Sequence, residues 1–166
     1  MTMPNNNSRI LLQRLKKTLS ELGEAQARLN KIVKIIADSM NSEVCSIYLI
    51  NRHNILELYA TEGLRSKAVH YSQLNVGQGL VGKIAATAEP IKTSQASKTK
   101  GFRYLPETGE EIYNSFLGVP IQRLGKILGV LVIQNLKKRE FTEDDVYGLE
   151  IVAMVIAEMA ELGIFT

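Results

Sequence analysis

The chain has 166 residues, 45% of them apolar, which suits one domain with its own core and leaves no need for a second. Its net charge of +3 comes from 20 basic and 17 acidic residues. The basic residues fall in short clusters (Lys16 with Lys17; Lys98, Lys100 and Arg103; Lys137 to Arg139), not in the broad basic face with interleaved aromatics of a nucleic-acid binder. No apolar run approaches the roughly 18–20 residues of a membrane span, so neither nucleic acid nor membrane is an expected partner.

The start, residues 1–8, is polar and Asn-rich, with no apolar signal segment, and reads as a short disordered tail. The single cysteine, Cys45, excludes an intrachain disulfide and fits a reducing, cytoplasmic setting. Ser8 is the expected N-cap of a helical segment over 9–41. Leu12, Leu15, Leu19, Leu22, Gln26, Leu29, Val33 and Ile36 follow steps of three and four, a heptad-like stripe interrupted by Gln26. Gly23 sits beside the interruption, where the segment can divide into two helices.

Strands follow. Residues 44–50 (VCSIYLI) are apolar on both alternating faces, as in an interior strand. A polar turn, NRHN, leads into residues 55–61, where Leu56, Leu58 and Ala60 point inward and Glu57 outward, so a hairpin is predicted. Residues 68–74 form a weaker strand candidate. A glycine-rich turn then opens a helix over 80–87, and residues 91–94 are extended. The stretch 95–114 is polar and irregular; a loop of that length inside a domain is more often functional than idle. Two strands return at 115–121 and 127–135 around a turn at 122–126. Thr142 caps a last helix whose first turn carries Glu143, Asp144 and Asp145, where acids suit the macrodipole. Its buried stripe runs through Val146, Leu149, Val152 or Ala153, Ile156, and Met159 or Ala160. This order predicts the α+β class: an antiparallel sheet of five or six strands flanked by N- and C-terminal helices, in one domain spanning 9–166.

Motifs of catalysis are missing. Gly77-Gln78-Gly79-Leu80-Val81-Gly82 matches G-x-G-x-x-G literally. The preceding stretch is half polar, the following helix ends by Pro90, and no acid stands near position 99, so the dinucleotide context fails. The glycines read instead as a tight turn and a close helix approach. One cysteine and two separated histidines, His53 and His70, give no metal-ligand spacing. Cys45 shares an alternation with Ile47 and Leu49 and reads as a small buried residue rather than a reactive thiol. The acids at 107–111 and 143–145 sit where capping and solvation account for them. No cofactor and no catalytic role are expected.

Several segments together resemble the GAF domain family: the helices leading into EVCSIYLI, the block NVGQGLVGKIAATAEPI, the hairpin SFLGVPIQRLGKILGVLVIQN, and the closing helix after FTEDD. They cover nearly the whole chain in the family's order. Within the family, MNSEVCSIYLINRHNILELYATEGL and FRYLPETGEEIYNSFLGVPIQR are similar to the N-terminal GAF domains of the nitrogen-related phosphoenolpyruvate–protein phosphotransferases. The resemblance implies a non-catalytic sensing domain with a small-molecule pocket on one sheet face and dimer-forming helices on the other. It also implies a response to nitrogen status with glutamine as effector, and phosphotransferase domains of a parent chain as partners. The Asn-Lys…Phe-x-x-x-Asp-Glu pattern of cyclic-nucleotide-binding members is kept at Asn135, Phe141 and Asp145, but Leu136 stands for the lysine and Val146 for the glutamate. That speaks against a cyclic nucleotide. No cysteine stands where a bilin would attach. Ser94 and Gln95 stand near the position where many members have an aspartate, so no ligand contact through an aspartate carries over.

Five of the ten aromatics lie between Tyr71 and Phe116, either as packing anchors of the long loop or as the lining of a pocket beneath it. The expected ligand-binding residues are Gly79 in the glycine turn, Val81 on the short helix, Phe102 and Tyr104 as apolar anchors, Arg103 for a carboxylate, and Tyr71, Tyr113 and Ser115 as hydroxyls. A homodimer through the terminal helices is expected from the leucine stripe, with Gln26 marking its register. The alternative reading is a dimerisation module whose pocket is vestigial.

Overall fold

Alternation along the strands sorts their side chains onto two faces, and each face has its own core. The computed structural model describes residues 6–21, 23–103, 107–109 and 113–163. Six antiparallel strands lie in the order β3-β2-β1-β6-β5-β4: β1 (Val44–Ile50), β2 (Ile55–Glu62), β3 (Gln73–Asn75), β4 (Ile91–Thr93), β5 (Ser115–Arg123) and β6 (Lys126–Asn135). Four helices accompany them: α1 (Asn6–Ser20), α2 (Ala25–Ser39), α3 (Gly79–Thr87) and α4 (Glu143–Glu161). One face packs Cys45, Ile47, Leu49, Leu117, Val119, Leu131 and Ile133 against α2 and α4, with Leu11 and Leu15 of α1 behind α2. The other packs Tyr48, Leu56, Leu58, Phe116, Val130 and Val132 against Leu80, Val81 and Ile84 of α3.

The helical segment divides at residues 21–24, as Gly23 suggested, and α1 begins at Asn6, three residues before Arg9 and inside the stretch read as a tail. The inner face of α1 is Leu11, Leu15 and Thr18, while Leu12 is 40% exposed. The stripe therefore shifts by one residue once α1 folds back on α2, because the break resets the helical phase. The side chains of Leu19 and Leu22 lie outside the described residues. Gln26 does not mark a bundle register: its amide is spent within the chain, on β2 and His70.

Leu56, Leu58 and Ala60 are all buried, but they do not share a face. Ile47 pairs with Ala60 and Tyr48 with Leu58, so Tyr59 is the extra residue of a bulge. The bulge reverses the alternation, sending Leu56 and Leu58 to the α3 side and Ala60 to the α2 side. The 68–74 strand candidate shrinks to Gln73–Asn75, preceded by a 3-10 turn at Ser66–Ala68. The β5–β6 turn is tighter than expected. Leu124 (φ 51°) and Gly125 (φ 79°) alone connect the strands, the two-residue loop with both φ positive whose twist matches a hairpin. Thr142 caps α4 in a reciprocal box: its hydroxyl accepts from the Asp145 amide at 3.1 Å, and the Asp145 carboxylate accepts from the Thr142 amide at 2.8 Å. Such a cap contributes about 1 kcal/mol.

Cys45 is fully buried on the α2–α4 side. Burial first, and the Glu62 carboxylate second, push its thiol far above the ordinary range. The thiolate is the reactive form, so native protein should react with a thiol reagent at least about a thousandfold more slowly than unfolded chain, since access requires opening of the core. Rapid stoichiometric labelling of the native protein would contradict this placement.

Candidate functional site

On the face away from the terminal helices, α3 leans over the middle of the sheet, and its close approach comes from glycines. Gly77 (φ 93°) and Gly79 (φ 70°) take the left-handed backbone of the turn, and a Cβ on Gly82 would stand 2.6 Å from the Asn75 carbonyl oxygen. The side chain of Gln78 closes the turn by accepting from the Asn75 amide at 3.1 Å. This is the structural role expected of the G-x-G-x-x-G run: a turn between an antiparallel edge strand and a nine-residue helix.

Between this helix and the sheet lies a cavity of about 20 Å³, lined by Tyr48, Leu74, Gly79, Leu80, Val81, Phe102, Arg103, Phe116 and Gln134. Four expected site residues, Gly79, Val81, Phe102 and Arg103, meet there. The other described ones do not. Tyr71 is 71% exposed on a turn. Tyr113 donates its hydroxyl to the Gly63 carbonyl at 3.3 Å, and burial, then Glu43, raises its ionisation range. Ser115 points to the opposite face from its neighbour Phe116, as alternation demands, and donates to the Lys137 carbonyl at 2.7 Å. Tyr104 lies outside the described residues.

Phe116, one of the aromatics read as either loop anchor or pocket lining, also lines the cavity, whereas sequence reading missed Tyr48 and Gln134 on the sheet. Gln134 is 3% exposed, shares the alternation of Val130 and Val132, and pairs across the strands with Phe116. Among the described residues its side-chain amide has no hydrogen-bond partner, and it faces the cavity. The amide borders the cavity and is not sealed from solvent, since Ser39 Oγ is the only fully buried side-chain polar atom without a partner among the described residues. The signal was available: one amide at the end of the apolar run 127–133, in phase with the residues facing α3. Arg103 stands exposed at the cavity mouth and forms no ion pair among the described residues. A larger open groove of about 370 Å³ lies at the hairpin tips, beside the end of α4. It is a solvent-facing cleft with no comparable buried, unpartnered group.

The antiparallel sheet thus carries α3 and its glycine turn over one face and the terminal helices over the other. Residues 24–159 match the GAF domain, and the chain belongs to that family of regulatory sensing domains. It is 34% identical over 140 residues to a phosphoenolpyruvate-dependent phosphotransferase system protein of Escherichia coli (strain K12), covering 81% of this chain. The chain spans only 19% of that relative's length. It is 26% identical over 166 residues to a Nif-specific regulatory protein of Azospirillum lipoferum, covering 95% of this chain and 26% of that one. Among solved structures, the GAF domain of a phosphoenolpyruvate-protein phosphotransferase from Coxiella burnetii superposes with a TM-score of 0.82 at 30% identity, covering 95% of this chain and 99% of that one. The corresponding Acinetobacter domain gives a TM-score of 0.82 at 32% identity, covering 97% and 99%. Among the described residues no helix is long and apolar enough to cross a membrane.

Proposed function

We propose that this chain is the effector-sensing domain of a cytoplasmic phosphoenolpyruvate–protein phosphotransferase that responds to nitrogen status, and that glutamine is its effector. The observation that carries the reading is Gln134, a residue 3% exposed that lines the cavity and whose amide has no hydrogen-bond partner among the described residues. An amide offers both donors and an acceptor, which suits a carboxamide, while Arg103 at the mouth suits a carboxylate. An amino-acid amide presents both groups. The names of the relatives, a phosphotransferase system and a Nif-specific regulator, agree with nitrogen control. A cavity of about 20 Å³ holds roughly one water, so an effector enters by displacing Phe102 and Arg103 from α3 and the sheet. Calorimetry with glutamine tests the reading. Arg103→Ala should weaken binding by about tenfold or more, the scale of a charge-assisted hydrogen bond.

The small cavity also supports a second reading, a dimerisation module with a vestigial pocket. Ile10 and Leu12 on α1 are exposed, as are Tyr147, Ile151 and Met154 along one side of α4. Under both readings the chain should sediment as a homodimer at tens of micromolar, roughly the range of useful interfaces; a monomer there would remove the dimer from both. Heat with glutamine separates the two. A silent titration with amino acids, 2-oxoglutarate and cyclic nucleotides would leave only the second.

A further inference from the structure

The bulge at Tyr59 turns a main-chain carbonyl out of the ladder between β1 and β2, and a side chain from α2 takes it up. Gln26 Nε2 donates to the Tyr59 carbonyl at 2.8 Å and to Asn30 Oδ1 at 3.0 Å. A main-chain carbonyl can only accept, so the orientation of the Gln26 amide is settled, and its oxygen faces His70 Nε2 at 2.7 Å. The other ring nitrogen, Nδ1, lies 2.7 Å from the Glu57 carboxylate. Both partners of the ring are acceptors, and only the imidazolium has two N–H groups to give them. The ring is also set edge-on to Tyr59 at 4.9 Å. His70 holds a left-handed backbone (φ 63°), fixed by its amide donating to the Leu58 carbonyl at 2.7 Å. Two residues on, Ser72 donates to Glu107 Oε1 at 3.1 Å, so the same short segment touches the loop on the cavity side.

We propose that His70 is a protonation-dependent strut that fastens the start of α2 to β2 and to the β2–β3 connection. In the charged ring both hydrogen bonds are made. When the ring loses a proton, one nitrogen lone pair faces an acceptor oxygen and that contact is lost. Glu57 and Tyr59 are the titratable groups that β2 presents to the ring, and α2 presents the neutral amides of Gln26 and Asn30. Tyr59, pushed up by burial and then by Glu57, stays neutral in the range where imidazole titrates. When the ring proton is lost, the first turn of α2 and residues 69–72 loosen together.

Hydrogen exchange on the full chain tests this, read at about pH 5.5 and about pH 8.5 and corrected for intrinsic rates, either side of the imidazole range. Protection of residues 28–30 and 69–72 should fall by about fivefold at the higher pH, the factor equivalent to one hydrogen bond of ordinary net strength. The chain has only two histidines, so His53→Asn isolates the effect and should behave as wild type. His70→Asn, compatible with the left-handed backbone, should make both segments pH-independent. Independently of any variant, both ring nitrogens of His70 in the wild-type protein should resonate as N–H at the lower pH, and the Gln26 side-chain amide should shift as one of them loses its proton. Unchanged protection across the pH range, a response that survives in His70→Asn, or a Gln26 amide indifferent to the ring would each overturn the proposal.

Discussion

Gln134→Leu should stabilise the effector-free domain and abolish its response to glutamine. The substitution removes an amide that has no hydrogen-bond partner among the described residues and puts an apolar group beside Phe116, Val132 and Leu80. The apolar side chain adds buried apolar surface in place of an amide that borders the cavity, a gain of about 1 kcal/mol. That gain corresponds to a rise of several degrees in Tm, at about 2–4 °C per kcal/mol for a chain of this size. The same change deletes the donor and acceptor that would read a carboxamide, so the calorimetric signal should vanish. Opposite signs for stability and binding are what a residue kept for function produces. A variant less stable than wild type would mean that the amide is satisfied inside the protein, and a variant that still binds glutamine with unchanged affinity would move the site elsewhere.

Arg139→Ala should be strongly destabilising, costing about 2–3 kcal/mol, the scale of hydrogen bonds made by a charged group. Nη1 of Arg139 is shared among the carbonyls of Met40 (2.8 Å) and Asn41 (3.2 Å), the Ser42 hydroxyl (3.3 Å) and Asn135 Oδ1 (3.1 Å). Its guanidinium also lies 4.7 Å from the centre of the Phe141 ring and 3.7 Å from the Asp145 carboxylate. It therefore ties the C-terminal end of α2, the end of β6 and the first turn of α4 into one joint. Asn135 completes the joint by donating to the Asn41 carbonyl at 2.9 Å and to Glu43 Oε2 at 2.7 Å. Arg139 thereby brings a cation to Asp145 in the first turn of α4. Arg139→Lys keeps the charge but not the planar fork and should recover less than about half of the loss. Urea denaturation measures both variants, and an Arg139→Ala midpoint within error of wild type would show that the joint carries no net stability.

How much of this was legible can be followed along the chain. The strands at 44–50, 55–61, 115–121 and 127–135, the break at Gly23, the capped α4 and its buried stripe were readable, because alternation, helical spacing and capping chemistry act over a few neighbouring residues. The family blocks carried the fold and the expectation of a pocket over the sheet. Of the expected ligand contacts, Gly79, Val81, Phe102 and Arg103 line the cavity, while Tyr71, Tyr113 and Ser115 stand elsewhere. Ser115 was misplaced by a single step of the pleat, since a shift of one residue in a strand exchanges the faces.

The sequence by itself determined the α+β class, the order of the elements, the burial of Cys45 and the membership of the GAF family, since each rests on periodicities and motifs written within single segments. Only the tertiary structure decided the uses of the three polar residues that matter most here. Gln26 interrupts a leucine stripe and reads as a bundle residue, yet it caps the carbonyl freed by a bulge 33 positions away. Arg139 ends a run of three basic residues and reads as solvated, yet it closes the joint between two helices and a strand. Gln134, near the end of an apolar strand and not singled out in the sequence, lines a cavity. A polar side chain takes its role from whichever unpaired group stands within about 3 Å of it, and in each case that neighbourhood is assembled from segments far apart in the chain.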